Sequence, residues 1–181
     1  MGIVSKTGFK FSIILYVGIG LGYVNTVLIF PNLLTEEEFG LTRILFAAGA
    51  LIAQITQLGT GNILVRFHPY LKEDKKNTTL TLGLILSFAG VILSALILIL
   101  FREQLTAYYI ENSPLFTDYF YLLLPVVISL IAYNLFDAYL RVNLKNSVSA
   151  FLSNVVIRIL WLVVVLLYSF KVYDTTIFLW V

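Results

Sequence analysis

The chain has 181 residues, of which 60% are hydrophobic and only 12% are charged. Soluble domains are about 45–50% apolar and about 25% charged, so this composition excludes an ordinary soluble domain and indicates a protein that crosses a membrane several times. The net charge of +2 is too small to predict binding to nucleic acid. With no cysteine and one histidine, the chain has no disulfides and no histidine- or thiolate-based metal site. We therefore predict no metal and no cofactor.

The first apolar run, residues 9–30, is long enough to cross a bilayer as a helix of about 33 Å. Within it, Gly18 and Gly22 are four residues apart, and Asn25 follows three residues later. That spacing places the three residues on one helical face. The glycine pair is of the small-xxx-small kind that favours close helix packing.

Residues 31–39 form an acidic loop before the next apolar run. Thr35 and Glu38 have the Thr-x-x-Glu spacing of a capping box, in which each side chain bonds the backbone N–H of the other residue. The pattern predicts that a helix starts here. Together with Glu36 and Glu37, Glu38 forms a run that we interpret as a solvated helix start rather than a paired carboxylate site.

Residues 40–66 form the second predicted span, which would reach about 40 Å as one continuous helix. Spacings of four and three place a small and polar set on one face: Arg43, Ala47, Ala50, Gln54, Gln57 and Gly61. Because a face turned to lipid would not carry an arginine and two amides, it should face other helices or water. Two interpretations stay open, a helix–helix seam and the wall of a water-filled cavity.

The third span is expected over residues 80–101 and the fourth over residues 118–140. Small residues recur along the third at spacings of four, three and four, namely at Gly83, Ser87, Gly90 and Ser94. Such a stripe is typical of a packing seam between membrane helices. The longest loop, residues 102–117, separates these two spans.

Charged residues occur inside the last two spans. Near the end of the fourth span, Asn134, Asp137 and Arg141 share a helical face, and the fifth span, residues 151–170, carries Arg158. Asp137 and Arg158 lie at similar depths on consecutive helices, which predicts an ion pair between them. The pair either fixes the packing of the two spans, or Asp137 titrates or binds a cation with Arg158 as its switchable partner. Asn134 and Asp137 are the candidate ion-coupling residues.

The basic residues predict the orientation. Eight lysines and arginines lie in the amino-terminal tail and in the loops after the second and fourth spans, against three on the other side. By the positive-inside rule, the amino terminus is expected in the cytoplasm. A sixth span is expected to start near residue 174, and the chain should stop inside it, because the remaining residues cannot cross the hydrocarbon core.

Three stretches in this order carry a family resemblance: FPNLLTEEEFGLTRIL at 30–45, NILVRFHPYLKED at 62–74 and VIRILWLVV at 156–164. The chain resembles the amino-terminal part of the bacterial polysaccharide (oligosaccharide) flippases, in the superfamily of the multidrug and toxin exporters and the lipid II flippase. Residues 43–50 also resemble the stretch of the lipid II flippase that places an arginine toward its cavity.

The resemblance implies an all-α polytopic bundle of twelve to fourteen helices in two six-helix lobes, of which this chain is most of one. It implies a transporter rather than an enzyme, which moves undecaprenyl diphosphate-linked oligosaccharide across the bacterial inner membrane by alternating access. The expected partners are that lipid-linked oligosaccharide, membrane lipids and a second lobe. The candidate substrate-binding residues are the cations Arg43 and Arg158, suited to phosphate, and the amides Asn25, Gln54 and Gln57, suited to sugar hydroxyls.

Three other functions stay open at the level of the sequence. A cation-coupled small-molecule exporter on the same fold would need an acidic residue inside the lobe, and Asp137 is the candidate. An integral-membrane enzyme acting on a lipid carrier would need clustered carboxylates or histidines at a membrane boundary, which this sequence lacks. A purely structural membrane subunit would use the same stripes of small residues.

Overall fold

The computed structural model describes residues 3–57, 59–70, 76–109, 113–143 and 146–169. These residues form helices joined by short turns, without strands. The α-helices are α1 (Ile3–Tyr23), α2 (Phe30–Leu33), α3 (Glu36–Thr56), α4 (Thr60–Phe67), α5 (Lys76–Leu100), α6 (Arg102–Tyr109), α7 (Pro114–Asp118), α8 (Leu123–Val142), α9 (Asn146–Phe151) and α10 (Ile157–Ser169). Short 3-10 turns occupy His68–Tyr70 and Phe120–Leu122.

Within the described part of the chain, five helical segments are long and apolar enough to cross a membrane. They are span 1 (Gly8–Leu33), span 2 (Glu36–Thr56), span 3 (Leu80–Leu100), span 4 (Phe120–Val142) and span 5 (Ser147–Ser169). This confirms the predicted all-α, multi-pass architecture. The sixth span expected from residue 174 lies outside the described residues.

The predicted second span was wrong at its carboxyl end, because α3 stops at Thr56 rather than continuing to residue 66. The backbone turns at Gly59, whose φ of 73° is in the left-handed region, and a separate short helix, α4, begins at Thr60. Glycine adopts that conformation without the steric cost that a Cβ brings, so it commonly ends helices. The apolar composition of the whole run hid this stop.

The capping box was predicted correctly. A carboxylate oxygen of Glu38 accepts the Thr35 N–H at 2.9 Å, and the Thr35 hydroxyl oxygen accepts the Glu38 N–H at 3.3 Å. Glu36 and Glu37 are exposed, as expected for a solvated helix start. That interpretation was wrong for Glu38, which is buried and accepts a second hydrogen bond from the Tyr168 hydroxyl near the end of span 5.

The chain divides into two compact units. The first unit, Met1–Phe39 with Lys145–Val181, contains span 1 and span 5. These two helices run parallel, because the residue numbers rise together along the contact: Gly18 meets Asn154, and the Phe30 ring lies 6.3 Å from the Trp161 ring. At the end of the contact, an apolar cluster forms around the buried side chains of Leu34 and Val165.

Both helices of the first unit contain a π-helical segment. In span 1 it covers Val24–Ile29, and in span 5 it covers Leu152–Val156. A π segment holds more residues per turn than the α-helix around it, and such segments are frequent at functional sites. Each therefore changes the direction in which the side chains beyond it point.

The second unit, Gly40–Leu144, contains span 3, span 4 and most of span 2. Its core includes Ala53, Val127 and Ile131, with a second cluster of Leu64, Leu135 and Ala138. The packing seam predicted on span 3 is confirmed, since all four of its small residues are buried. At Gly90 this seam meets the backbone of another segment, since an added Cβ would lie 2.8 Å from the Thr56 carbonyl oxygen.

Candidate functional site

The polar residues singled out in the sequence form two separate groups, one in each unit. In the first unit, Gly18, Gly22 and Asn25 of span 1 meet Asn154 and Arg158 of span 5. The predicted shared face of the span 1 residues is therefore confirmed. We call the surface formed by Gly18 and Gly22, on which the Arg158 side chain lies, the glycine notch.

Arg158 lies at the middle of span 5, eleven residues from each end of Ser147–Ser169. At about 1.5 Å per residue, its backbone is about 16 Å from either end of the span, deeper than the sequence suggested. A charge at this depth is costly to bury, so it is normally held by a carbonyl, an opposite charge or a water-filled cavity.

The glycine notch holds the guanidinium. One terminal nitrogen of Arg158 donates a hydrogen bond to the Gly18 carbonyl oxygen. The same nitrogen lies directly over Gly22, where an added Cβ would overlap it. At Gly18 an added Cβ would lie 2.6 Å from the Cβ of Asn154. The two glycines are therefore required by close approach of span 5, and Gly22 specifically by the arginine.

Asn25 ties the backbone of span 5 to span 1. Its side-chain nitrogen donates to the Arg158 carbonyl oxygen at 2.7 Å, and the residue is only 3% exposed. Its side-chain oxygen is buried and accepts no hydrogen bond from any described residue. Burying an acceptor without a hydrogen bond is energetically costly, and this oxygen keeps the capacity to accept one.

The expected ion pair between Asp137 and Arg158 joins residues of different units and stays a prediction. The structure shows a cation beside Asp137 on its own helix. Arg141 lies one turn later on α8 and pairs with Asp137 at 2.6 Å. Among the described residues of its own unit, Arg158 forms no ion pair.

The second group surrounds the break that ends span 2. Gln57 lies in the turn and is buried, and its side-chain oxygen accepts a hydrogen bond from the Asn134 amide at 3.0 Å. The Gln57 carbonyl oxygen accepts the Thr60 N–H at 3.0 Å and the Thr60 hydroxyl at 2.6 Å. The Gln57 side-chain nitrogen has no acceptor among the described residues. Asn134 and Gln57 thus hydrogen-bond to each other, and the ion-coupling role of Asn134 stays a prediction.

The small and polar face predicted on span 2 is shorter than expected. Arg43, Ala47, Ala50 and Gln54 are all exposed on α3, while Leu41, Leu45, Gly49 and Ala53 on the opposite side are buried. Gln57 and Gly61 were wrongly placed on this face, because the helix ends between them and Gln54. Among the described residues, therefore, the packing seam of span 2 is its apolar side and the polar face is uncovered.

Two features of the site were missed by the sequence reading. The first is the break after Thr56, for which Gly59 and Gly61 flanking Thr60 were an available signal. The second is the burial of Glu38, which depends on Tyr168, a residue 130 positions away. No local sequence pattern predicts that contact.

Among the described residues, no three histidine, aspartate or glutamate side chains come together in a way that would hold a metal ion. Comparison of the chain with protein-family models, with curated protein sequences and with solved structures finds no match. The features that bear on function are therefore the geometry of the two groups and the exposed face of span 2.

Proposed function

We propose that this protein is part of a flippase that moves a lipid-linked oligosaccharide across the bacterial inner membrane for the synthesis of cell-surface polysaccharide. The observation that carries the proposal is the exposed face of span 2, where Arg43, Ala47, Ala50 and Gln54 follow one another on an otherwise apolar helix. The amide of Gln54, exposed on a membrane helix, requires either water or a polar partner. A cavity wall meets that requirement.

The cargo explains the residue types. A glycan linked to lipid through a diphosphate has hydroxyls and negative charges that cannot cross hydrocarbon unaided. Amides such as Gln54 donate and accept hydrogen bonds with hydroxyls, and the planar guanidinium of Arg43 matches phosphate. The neighbouring side chains of Leu51 and Ile55 are exposed beside the polar face and suit the lipid tail. In this proposal, a second lobe faces span 2 and the two lobes alternate in access.

The proposed orientation places the amino terminus in the cytoplasm, because eight basic residues are predicted on the side of the amino terminus and three on the opposite side. The loop that carries Glu36 and Glu37 then faces outward. The runner-up, a cation-coupled exporter, is less well supported, since Asp137 is already paired with Arg141.

The proposal is tested first by solvent access. Single cysteines at Ala47, Ala50 and Gln54 of this cysteine-free chain should react with a water-soluble thiol reagent in membranes. Cysteines at Gln57, which is buried in the turn, and at the lipid-facing Leu51 are the matched controls and should stay protected. Equal protection of both sets would remove the cavity wall and with it the support for transport.

Transport itself is tested by surface-glycan export in a bacterial strain that lacks its own flippase, at matched expression. Gln54→Leu and Arg43→Ala should lower export, whereas Ile55→Leu, on the same exposed side, should not. Arg43→Lys should also lower it if the guanidinium grips phosphate as a planar fork, because lysine keeps the charge but not the fork. Full export with both Gln54→Leu and Arg43→Ala would contradict the proposal.

A further inference from the structure

We propose that the break at the end of span 2 is a binding site for a buried water molecule, held between the Gln57 side-chain nitrogen and the Ser87 hydroxyl of span 3. Both residues lie in the second unit. The inference concerns what stabilises the break, and it does not depend on what the protein transports.

The first support is a pair of buried polar groups that form no hydrogen bond. Gln57 is 8% exposed and Ser87 is 6% exposed. Neither the Gln57 side-chain nitrogen nor the Ser87 oxygen has a hydrogen-bond partner among the residues that the structure describes. Burying such groups without a partner is energetically costly, and folded proteins satisfy nearly all of them, often with an ordered water molecule.

The second support is the position of the two groups. Gly83, Ser87 and Gly90 share one face of span 3, because they are four and three residues apart. A Cβ at Gly90 would lie 3.8 Å from the Gln57 Cα, and a Cβ at Gly83 would lie 3.0 Å from a methyl group of Leu64. Ser87 therefore faces the segment between Gln57 and Leu64, which contains the break. It lies only about 4.5 Å along span 3 from Gly90.

The third support is the chemistry that the two groups require of a ligand. The Asn134 amide donates to the Gln57 side-chain oxygen at 3.0 Å, which leaves the Gln57 nitrogen as the free end of that side chain. This nitrogen can only donate a hydrogen bond, whereas the Ser87 hydroxyl can donate or accept one. The ligand must therefore accept a hydrogen bond from Gln57. Water accepts and donates, but a metal cation cannot accept.

The break itself supplies a third hydrogen-bonding group. In a continuous helix the Thr60 N–H would bond the Thr56 carbonyl oxygen, but here it bonds the Gln57 carbonyl oxygen at 3.0 Å. The Thr56 carbonyl oxygen is released from that bond, and it lies 2.8 Å from the position of a Cβ at Gly90, one turn from Ser87. Buried water molecules make about three hydrogen bonds, and a water molecule inserted into a helix commonly bends or breaks it.

A second serine on the same stripe of span 3 shows that burial alone does not leave a hydroxyl unbonded. Ser94 is 0% exposed, and its hydroxyl donates to the Val91 carbonyl oxygen of its own helix at 2.7 Å. Ser87, at the level of the break, makes no such bond within the described part of the chain. The two serines are therefore a matched pair for testing the site.

The sign of a stability change tests the site in the purified, detergent-solubilised chain. If water is bound, Ser87→Ala removes one of its partners and should raise the equilibrium constant of unfolding by about fivefold. If no water is bound, the same change removes an unsatisfied hydroxyl and should leave that constant unchanged or lower it, which would overturn the proposal. Ser94→Ala is the control and should change the constant by no more than about twofold.

A double-mutant cycle tests whether one ligand joins the two side chains. In a Gln57→Leu background the water has already lost its donor, so Ser87→Ala should have a smaller effect there than in the unchanged chain. The effects of the two substitutions on the equilibrium constant of unfolding should differ from additivity by about twofold or more. Additive effects would show that no ligand connects the two residues.

A crystal structure of the chain at a resolution that shows ordered water tests the site directly. It should contain one peak within about 3.2 Å of both the Gln57 side-chain nitrogen and the Ser87 oxygen. A direct bond between the two side chains, or no peak between them, would overturn the site. The unfolding temperature should be the same in sodium chloride and in choline chloride, since a rise with sodium alone would assign the position to a cation instead of water.

Discussion

Polar side chains in the membrane spans have different kinds of partner in the two units. In the second unit, Asp137 pairs with Arg141, and Asn134 bonds Gln57 on the neighbouring segment. In the first unit, Arg158 has a carbonyl oxygen in place of a carboxylate, and the Asn25 oxygen has no donor from the described residues. Charges that neutralise each other locally hold helices in place, whereas a charge left unbalanced can attract a ligand. The contrast separates a group whose polar side chains bind one another, apart from the Gln57 side-chain nitrogen, from a group that keeps unused hydrogen-bonding capacity at Asn25.

The same contrast holds for glycines. A Cβ at Gly90 in the second unit would meet the backbone of Thr56, while a Cβ at Gly22 in the first would meet the flexible end of Arg158. Backbone atoms cannot move without moving a helix, but a guanidinium can swing away. The substitution of glycine by alanine should therefore disturb helix packing more at Gly90 than at Gly22.

The largest effect on stability is expected in the first unit, when the hydrogen bond from Tyr168 to Glu38 is removed. Tyr168→Phe removes a hydrogen bond to the buried Glu38 carboxylate and should lower the free energy of unfolding by about 1.5–3 kcal/mol. Tyr16→Phe, on an exposed ring of span 1, is the control and should change it little. Unfolding in detergent measures both. If the two variants are equally stable, the hydrogen bond from Tyr168 does not stabilise the buried Glu38 carboxylate.

Gly90→Ala should lower the free energy of unfolding by about 1–3 kcal/mol, because the new methyl group forces span 3 away from the end of span 2. Gly40→Ala, where nothing lies within 4 Å, should be neutral or slightly stabilising. Gly22→Ala should cost less than Gly90→Ala in the same measurement. A larger loss at Gly22 would mean that its glycine serves packing, and the contrast between the units would fail.

The amide pair should contribute less. A double-mutant cycle with Asn134→Ala and Gln57→Ala should give a coupling of about 0.6 kcal/mol and no more than about 1.7, the range seen for hydrogen bonds between membrane helices. Thermal unfolding of the four proteins supplies the numbers. Strictly additive effects would show that the two amides act independently, and the break in span 2 would then have another stabilising contact.

The smallest effect is expected for Asp137→Asn. Its pair with Arg141 joins residues four apart on one helix, and the two side chains are 20% and 48% exposed, so the loss should be about 0.3–0.5 kcal/mol. Arg141→Gln should cost the same. A loss of several kcal/mol for Asp137→Asn alone would show that this carboxylate neutralises a second cation, and would favour the ion pair with Arg158 predicted from the sequence.

Much of this architecture follows from local sequence. Hydropathy located five spans because a bilayer imposes a length, and Thr35 with Glu38 predicted a cap because the two residues bond each other. The face shared by Gly18, Gly22 and Asn25 followed from helical periodicity. Where a partner is distant, local sequence was not enough: Glu38 is buried and accepts a hydrogen bond from Tyr168, 130 positions away.

The polar face of span 2 shows the other limit. A regular spacing was extended across Gln57 and Gly61 because period alone does not reveal where a helix ends. The left-handed conformation of Gly59 marks where the helix has ended, and the spacing of the polar face gave no weight to that glycine. Boundaries depend on backbone preference, whereas the existence of the span depends on total hydrophobicity.

The π segments of span 1 and span 5 affect how a homologue of this protein would align with it. Because each residue turns a helix by about 100°, one additional residue accommodated in a π turn rotates everything beyond it relative to a purely α-helical ancestor. Here two helices that contact each other both contain such a turn, at Val24–Ile29 and Leu152–Val156. A homologue without these π turns would align with this chain only if a single-residue gap were opened inside each of the two transmembrane helices. Superposition of the structures would therefore reveal the relationship before an ungapped sequence alignment did.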